Sequence, residues 1–307
     1  MSEIIKTEVP SQQEGRRIDA VLSDLYPDRS RSYFQKMLEE GHILVEGRPV
    51  RASRKVRAGE EILLDLPEVR PLEVEAKAIP LDIIHEDDDI LIVNKPKNMV
   101  VHPAAGHTDD TLVNAILYHC RDGLSGINGV QRPGIVHRID KDTTGTLVIC
   151  KNDRAHLALA EQLKVHSITR IYRGIVIGHL PEEEGRVDRP LGRDKKDRKH
   201  MAIVPDGKRA VTHYKVLQRL ESYDDCEFRL ETGRTHQIRV HMASLGHPLL
   251  GDETYGPRKC PFKLEGQCLH AMTIGFLHPA DGRYAEYSAP LPEYYQKLLL
   301  KLKGEVL

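Results

Sequence analysis

The stretch His137-Arg138-Ile139-Asp140-Lys141-Asp142-Thr143-Thr144-Gly145 sets a carboxylate, Asp140, close behind an arginine and ahead of a Thr-Thr-Gly turn. The preceding Gly134-Ile135-Val136 is apolar and β-prone. It predicts a strand whose end presents Asp140 on a rigid edge. Composition alone makes this a strand end with solvated charges. As chemistry, a fixed carboxylate is a nucleophile able to form a covalent adduct. It then needs a cation that does not titrate. Arginine meets that need, because its planar fork holds a carboxylate and stays charged. The candidate is Arg239, in Gly233-Arg234-Thr235-His236-Gln237-Ile238-Arg239-Val240-His241. Thr235 to Leu245 reads as a helix with Ile238, Met242 and Leu245 on its buried face and Arg239 beside that face. The residues by themselves favour an exposed helical arginine, the usual fate of this side chain.

Other chemistries lack their residues. There is no G-x-x-x-x-G-K-[ST] phosphate loop, no G-x-G-x-x-G and no G-x-S-x-G elbow. His236 and His241 are spaced i,i+5, which puts them on different helix faces, against a zinc pair. The five cysteines, Cys120, Cys150, Cys226, Cys260 and Cys268, form no disulfide framework and no C-x-x-C pair. Cys260, Cys268 and His270 fit no common metal-ligand spacing. Asp140 with Asp142 would supply the two acids of a glycoside-cleaving hydrolase, which stays open at this level.

The elements that must position these residues fall into two regions. Residues 1–12 are polar and read as a flexible N-terminus. Ile18, Val21, Leu22 and Leu25 have helical spacing. A second helix follows Ser30, a suitable N-cap, carries Tyr33, Phe34, Met37 and Leu38, and ends at Gly41. Short strands come next: Ile43-Leu44-Val45, a Glu46-Gly47 turn, Val50, and Glu61 to Leu64. Pro67 to Pro80 shows no periodicity and reads as a linker. Beyond it, Leu81 to His85 and Ile90 to Asn94 form a hairpin across an acidic turn. Ala155 to Leu163 and Glu293 to Leu302 are helical. Ile171 to Ile177, Val211 to Leu217, Cys226 to Leu230 and Ala271 to Leu277 are strands. Strands without regular βα alternation predict an α+β fold with a mixed, mainly antiparallel sheet.

The chain has 307 residues, a net charge of −1, 30% charged residues, 5% aromatics and no Trp. No run is long and apolar enough for a membrane span, and no secretory signal opens the sequence, so the cytoplasm is expected. The near-zero net charge hides two basic segments. One holds Arg29, Arg31, Lys36, Arg48, Arg51, Arg54, Lys55 and Arg57. The other holds Arg189, Arg193, Lys195, Lys196, Arg198, Lys199, Lys208 and Arg209. Clusters of this kind are the footprint of a phosphate backbone or, equally, two solvated faces.

Two resemblances sharpen the reading. Arg17-x-Asp19, Ser30-Arg31-Ser32-x-x-x-Lys36, Gly41-x-Ile43-x-Val45-x-Gly47 and Val56-x-x-Gly59-x-x-Ile62 resemble the S4 RNA-binding domain. The segment from His137 to Gly145 resembles the catalytic-aspartate motif of the RluA/RluD family of RNA pseudouridine synthases, with Ile and Thr where relatives often carry Leu and Ser. Gly233 to His241, continued by Gly246-His247-Pro248-x-x-Gly251-Asp252-x-x-Tyr255-Gly256, resembles that family's arginine motif. Asn94-Lys95-Pro96 with His102-Pro103, and Arg170-x-Tyr172 leading to Gly178, agree with it too.

The resemblance implies an S4-type α/β domain over 13–70, a linker over 71–80 and a pseudouridine synthase catalytic domain over 81–307. It implies that Asp140 is the nucleophile and Arg239 its partner. Tyr172 would stack on the target uracil and is the candidate to take the proton from carbon five. Arg138, with His137 beside it, would contact the substrate, Arg138 filling the space of the flipped base. Arg31, Lys36, Arg48, Arg51 and Arg54 would touch phosphates without reading bases. The reaction is an isomerisation, so no nucleotide, metal or redox cofactor is expected. The expected partner is RNA, large-subunit ribosomal RNA foremost, with no membrane and a monomeric enzyme. The competing readings are an RNA-binding ribosome-assembly factor with an idle pocket and a synthase acting on tRNA.

Overall fold

The computed structural model describes residues 3–26, 31–66, 74–104, 106–121, 123–127, 133–195, 197 and 200–304. The Ser30 cap, the side chain of Lys36, the basic residues Arg29, Lys196, Arg198 and Lys199, and the start of the expected linker lie outside the described residues. The chain divides into two compact units, Met1–Pro71 and Leu72–Leu307.

The first unit runs β1 (Glu3–Glu8), α1 (Ile18–Leu25), α2 (Arg31–Glu39), β2 (Ile43–Val45), β3 (Arg48–Pro49) and β4 (Glu61–Leu66). Ile18, Val21 and Leu22 of α1 and Phe34, Met37 and Leu38 of α2 are buried with Ile43, Val45, Ile62 and Leu64 of the sheet. The sheet order is β1-β4-β2-β3. Glu46 and Gly47 both have positive φ, which makes the two-residue turn that joins β2 to β3. The expected flexible N-terminus is corrected over Glu3–Glu8. These residues pair along their whole length with β4, from Glu3 opposite Leu66 to Glu8 opposite Glu61. Local polarity hid this, because the partner strand lies far along the chain.

The second unit runs β5 (Ile83–Glu86), β6 (Ile90–Lys95), α3 (Leu112–Cys120), β7 (Thr144–Cys150), α4 (Asp153–Lys164), β8 (Thr169–Ile177), β9 (Glu184–Asp188), β10 (Leu191–Arg193), β11 (Met201–Ile203), β12 (Val211–Arg219), β13 (Tyr223–Leu230), α5 (Gln237–Ser244), β14 (Leu269–Leu277), β15 (Tyr284–Ser288) and α6 (Glu293–Leu302). Its large sheet has the order β5-β6-β7-β14-β8-β13-β12-β9, with β15 beside β14. Among the described strands only the β7–β14 pair is parallel, so the sheet is mixed and mainly antiparallel. Asp87 closes the acidic turn: one carboxylate oxygen accepts the Asp89 and Ile90 N–H groups, the other meets His85 and His278. Residues 75–77 of the expected linker are bonded to Asn114 of α3 and belong to this unit.

Gly134 to Val136 is not a strand. Ile135 makes one isolated bridge, to Ile149. The strand begins beyond Asp140, at Thr144, so Asp140 stands on the loop that enters β7. Gly145 explains the Thr-Thr-Gly turn. Its φ is 114°, and a Cβ there would fall 2.1 Å from the Ala271 carbonyl oxygen. Only glycine lets β7 approach β14 this closely. The register then lines up Gly145, Ala271, Tyr172 and Phe228 across β7, β14, β8 and β13. Tyr172 is thereby carried to the Asp140 loop. Among the described residues, no helix is long and apolar enough to cross a membrane.

Candidate active site

A cleft of about 350 Å³ opens at this row. Its lining includes Arg138, Asp140, Arg170, Tyr172, Arg234, His236 and Arg239. The structure thus brings together Asp140 before β7, Tyr172 on β8 and Arg239 on α5.

The Asp140 loop is pinned from three sides. The Asp140 carbonyl accepts the Thr143 N–H at 3.1 Å. Gln267 donates to the Thr143 hydroxyl at 3.0 Å. Lys95, fully buried at the end of β6, donates to the carbonyls of Lys141, Pro96 and Met99 at 2.8, 2.8 and 2.9 Å. Burial pulls the Lys95 ammonium down to about 7, against the charges of Asp142 and Asp140. The Asn94-Lys95-Pro96 motif thus clamps the Asp140 loop through Lys95. Its residue types alone suggest no such role.

Arg239 Nη1 donates to Asp140 Oδ2 at 3.0 Å. The rest of its fork is taken by Asp252, which accepts from Nε at 2.7 Å and Nη2 at 2.9 Å. Asp252 is buried and its Oδ1 also accepts the Thr254 and Tyr255 N–H groups. The Tyr255 ring lies under the guanidinium, 5.1 Å from Cζ. Burial opposes the Arg239 charge, but the Asp252 bonds outweigh it and hold its pKa above the usual arginine value. The expected one-sided helix is corrected: six consecutive residues, Gln237 to Met242, are buried, so α5 offers no exposed face for Arg239. Gln237 joins the Thr232 and Arg234 side of the loop to Val211 and Thr212. His241 meets the Thr212 hydroxyl and the Arg189 carbonyl, which accounts for it without a metal.

Tyr172 sits in the cleft wall between two apolar clusters. Burial pushes its phenol up to about 12, so it is protonated at neutral pH. Arg138 is exposed at the cleft mouth. His137 has an internal partner. Its Nε2 accepts the Val148 N–H at 3.1 Å, and burial drives its pKa down to about 3. It is a neutral anchor for the loop and also lines the cleft. Arg170, two residues before Tyr172, is buried and donates to the Glu231 carbonyl at 3.0 Å. Its guanidinium lies against Gly233, where a Cβ would come within 2.4 Å. That contact ties β8 to the loop leading into α5.

Among the described residues that line the cleft, Asp140 is the one carboxylate, against Arg138, Arg170, Arg234 and Arg239. Asp142 points elsewhere, packed against Gly266, and is half-buried. A hydrolase needing two facing acids lacks the second. The Cys260, Cys268 and His270 grouping also gives way: both His270 ring nitrogens are taken, by Thr144 and by the Ala289 carbonyl.

In the first unit, Arg48 and Arg51 are exposed. Arg31 and Arg54 each hold an internal acid. Arg31 forks onto buried Asp19 at 3.0 and 3.1 Å, together with Arg17 and Gln35. Burial opposes the Asp19 charge, yet these donors hold its carboxyl well below the usual range. Arg54 forks onto Glu60 at 2.8 and 2.7 Å and pulls that carboxyl down to about 2.

Residues 89–244 match the family described as RNA pseudouridylate synthase, and residues 16–62 match the S4 domain. A Bacillus subtilis protein named an uncharacterized RNA pseudouridine synthase is 50% identical over 292 residues, 95% of this chain and 96% of its own. Ribosomal large subunit pseudouridine synthase D of Zymomonas mobilis is 48% identical over 299 residues, 94% of each chain. Among solved structures, human RNA pseudouridylate synthase domain containing 4 is 26% identical, with a TM-score of 0.55, over 72% of this chain and 92% of its own.

Proposed function

The chain belongs to the RNA pseudouridylate synthase family, and from that premise we propose that it isomerises specific uridines of large-subunit ribosomal RNA with Asp140 as the nucleophile. The observation that carries the residue assignment is the 3.0 Å bond from Arg239 to Asp140 inside a cleft whose other charged lining is cationic. The rRNA assignment draws on the full-length likeness to proteins named for that substrate.

The target base must leave its stack to reach Asp140, at a cost of a few kcal/mol, less in a loop than in a duplex. Arg138, exposed at the mouth, takes the place the base leaves. The Tyr172 ring receives the flat face of the uracil, and such stacking offsets about 1–3 kcal/mol. Asp140 then forms the covalent adduct, the bond from N1 to the ribose breaks, the uracil turns, carbon five bonds to the sugar, and the bond to Asp140 breaks to return the free carboxylate. The proton of carbon five leaves and N1 gains one, so the sum is an isomerisation. A phenol with a pKa of about 12 is not a base at neutral pH. Tyr172 accepts the carbon-five proton only after shedding its own, so stacking is its first role. The S4 unit grips the RNA backbone through Arg48 and Arg51. The enzyme acts as a cytoplasmic monomer.

The test maps pseudouridine across ribosomal RNA and tRNA of a strain lacking this protein, complemented with wild type or Asp140→Asn. Loss of particular sites in large-subunit rRNA, restored by wild type alone, is expected. Restoration by Asp140→Asn would overturn the nucleophile. Lost sites confined to tRNA would overturn the substrate. A growth defect with every site retained would favour an assembly factor.

A further inference from the structure

We propose that His236 is a positioning residue for the reactive carboxylate: clamped from behind by Tyr255, its imidazole faces the oxygen of Asp140 that Arg239 leaves open. This rests on the reading of Asp140 as nucleophile.

His236 precedes α5 with φ 56°, in the left-handed region, and makes no side-chain cap bond to the helix. An L-residue other than glycine or asparagine spends about 1–2 kcal/mol there. Asn, Asp or Gly would suit both the conformation and the helix start better. Neither backbone nor cap explains a histidine, and strain of this kind collects at functional sites.

The ring explains it. Nδ1 lies 2.8 Å from the Tyr255 hydroxyl, and the two rings meet edge to face. The same hydroxyl oxygen accepts the Met201 N–H at 2.9 Å. With the Met201 N–H as its donor, the hydroxyl can give its own proton to Nδ1, and in that arrangement the imidazole carries its hydrogen on Nε2. Nε2 stands 3.8 Å from Asp140 Oδ1, while Arg239 bonds Oδ2. At 3.8 Å there is no hydrogen bond in the free enzyme. Such contacts tighten when substrate fills a site, and this one is aimed at the oxygen not already held.

The charges around the ring are Asp140 and Asp252 on one side of the balance, Arg239 and Arg138 on the other. Burial outweighs them and lowers the imidazole pKa. A neutral donor turns the carboxylate without adding a further cation to quench it.

The test uses the full chain and ribosomal RNA from a strain lacking this protein, with pseudouridine formation followed under saturating RNA. His236→Asn suits the left-handed backbone but is too short to span Tyr255 and Asp140. We expect kcat to fall roughly 10–100-fold with KM and the thermal midpoint nearly unchanged. His236→Gln, which places an amide N–H near the Nε2 position, recovers part of the rate, and it flattens the acid limb of the kcat profile. Tyr255→Phe gives an intermediate loss. A wild-type kcat in His236→Asn, or equal losses in Asn and Gln with an unchanged acid limb, would overturn the proposal. Asp140→Asn is run beside them: inactivity there keeps the nucleophile reading whatever His236 does, and activity there removes it.

Discussion

Asp252 takes two of the three nitrogens of the Arg239 guanidinium, at 2.7 and 2.9 Å, and leaves Nη1 alone to meet Asp140. One buried acid thus fixes the direction from which Asp140 is held. The arrangement needs a planar fork on the helix and an acid on each side of it.

Both ends of that relationship are testable. Arg239→Lys keeps the charge but presents one nitrogen, which cannot serve two carboxylates lying in different directions. Most single-turnover activity should be lost. Asp252→Asn leaves Arg239 buried with a weaker acceptor. It should cost about 3 kcal/mol of stability, read by urea denaturation, and lower kcat more than RNA affinity. Unchanged kcat in Asp252→Asn would show that Arg239 holds its direction without help.

Gly145 sets the distance between β7 and β14. Gly145→Ala puts a methyl group 2.1 Å from the Ala271 oxygen at a φ that side chains avoid. The expected loss is about 3 kcal/mol or more, since the only relief is to part the two strands. A thermal midpoint equal to wild type would mean that the strands open at little cost.

His137 predicts acid sensitivity. The unfolded chain binds a proton on this ring at about 6.5, and the folded chain refuses it until about 3. Between those values the unfolded state holds more protons, so stability present above 6.5 falls as pH drops towards 3. In His137→Gln the urea midpoint should fall less steeply over that window. Identical slopes in the two proteins would remove His137 as the cause.

Arg48 and Arg51 are the exposed cations of the first unit that the RNA reading relies on, whereas Arg54 is paired with Glu60. Replacing Arg48 and Arg51 by Ala should weaken RNA binding and reduce the salt slope of log K by roughly 0.7–0.9 for each phosphate that the variant no longer neutralises. The thermal midpoint should hold. Arg54→Ala should instead cost about 1 kcal/mol of stability or less, as for a partly exposed pair. An unchanged salt slope in the double variant would exclude those two arginines from the RNA contact.

The residues that share the cleft were legible in the chain. Asp140, Tyr172 and Arg239 stand out because a motif fixes residue type and spacing together, and five of the six described helices and about half of the described strands follow from apolar periodicity. Helix α3 and the strands β7, β9, β10, β11 and β15 were not read from the chain. Other features were not legible either. The strand at Glu3–Glu8 is polar and exists because β4 offers it a ladder. The apolar Gly134 to Val136 reads as a strand, yet only Ile135 finds a single bridge. Arg31, Arg54 and His137 read as RNA contacts, and the internal partners each of them also holds, Asp19, Glu60 and the Val148 amide, are not visible in the chain.

Residue order alone thus carries the family pattern and the charged groups that compose it. Folding decides which of those groups come together and with which partners. A carboxylate, an arginine or a histidine is the same letter whether solvated, paired or buried. Its role is set by partners brought near from distant positions, as Lys95, Asp252 and Tyr255 are brought to the loop and helix that carry Asp140 and Arg239.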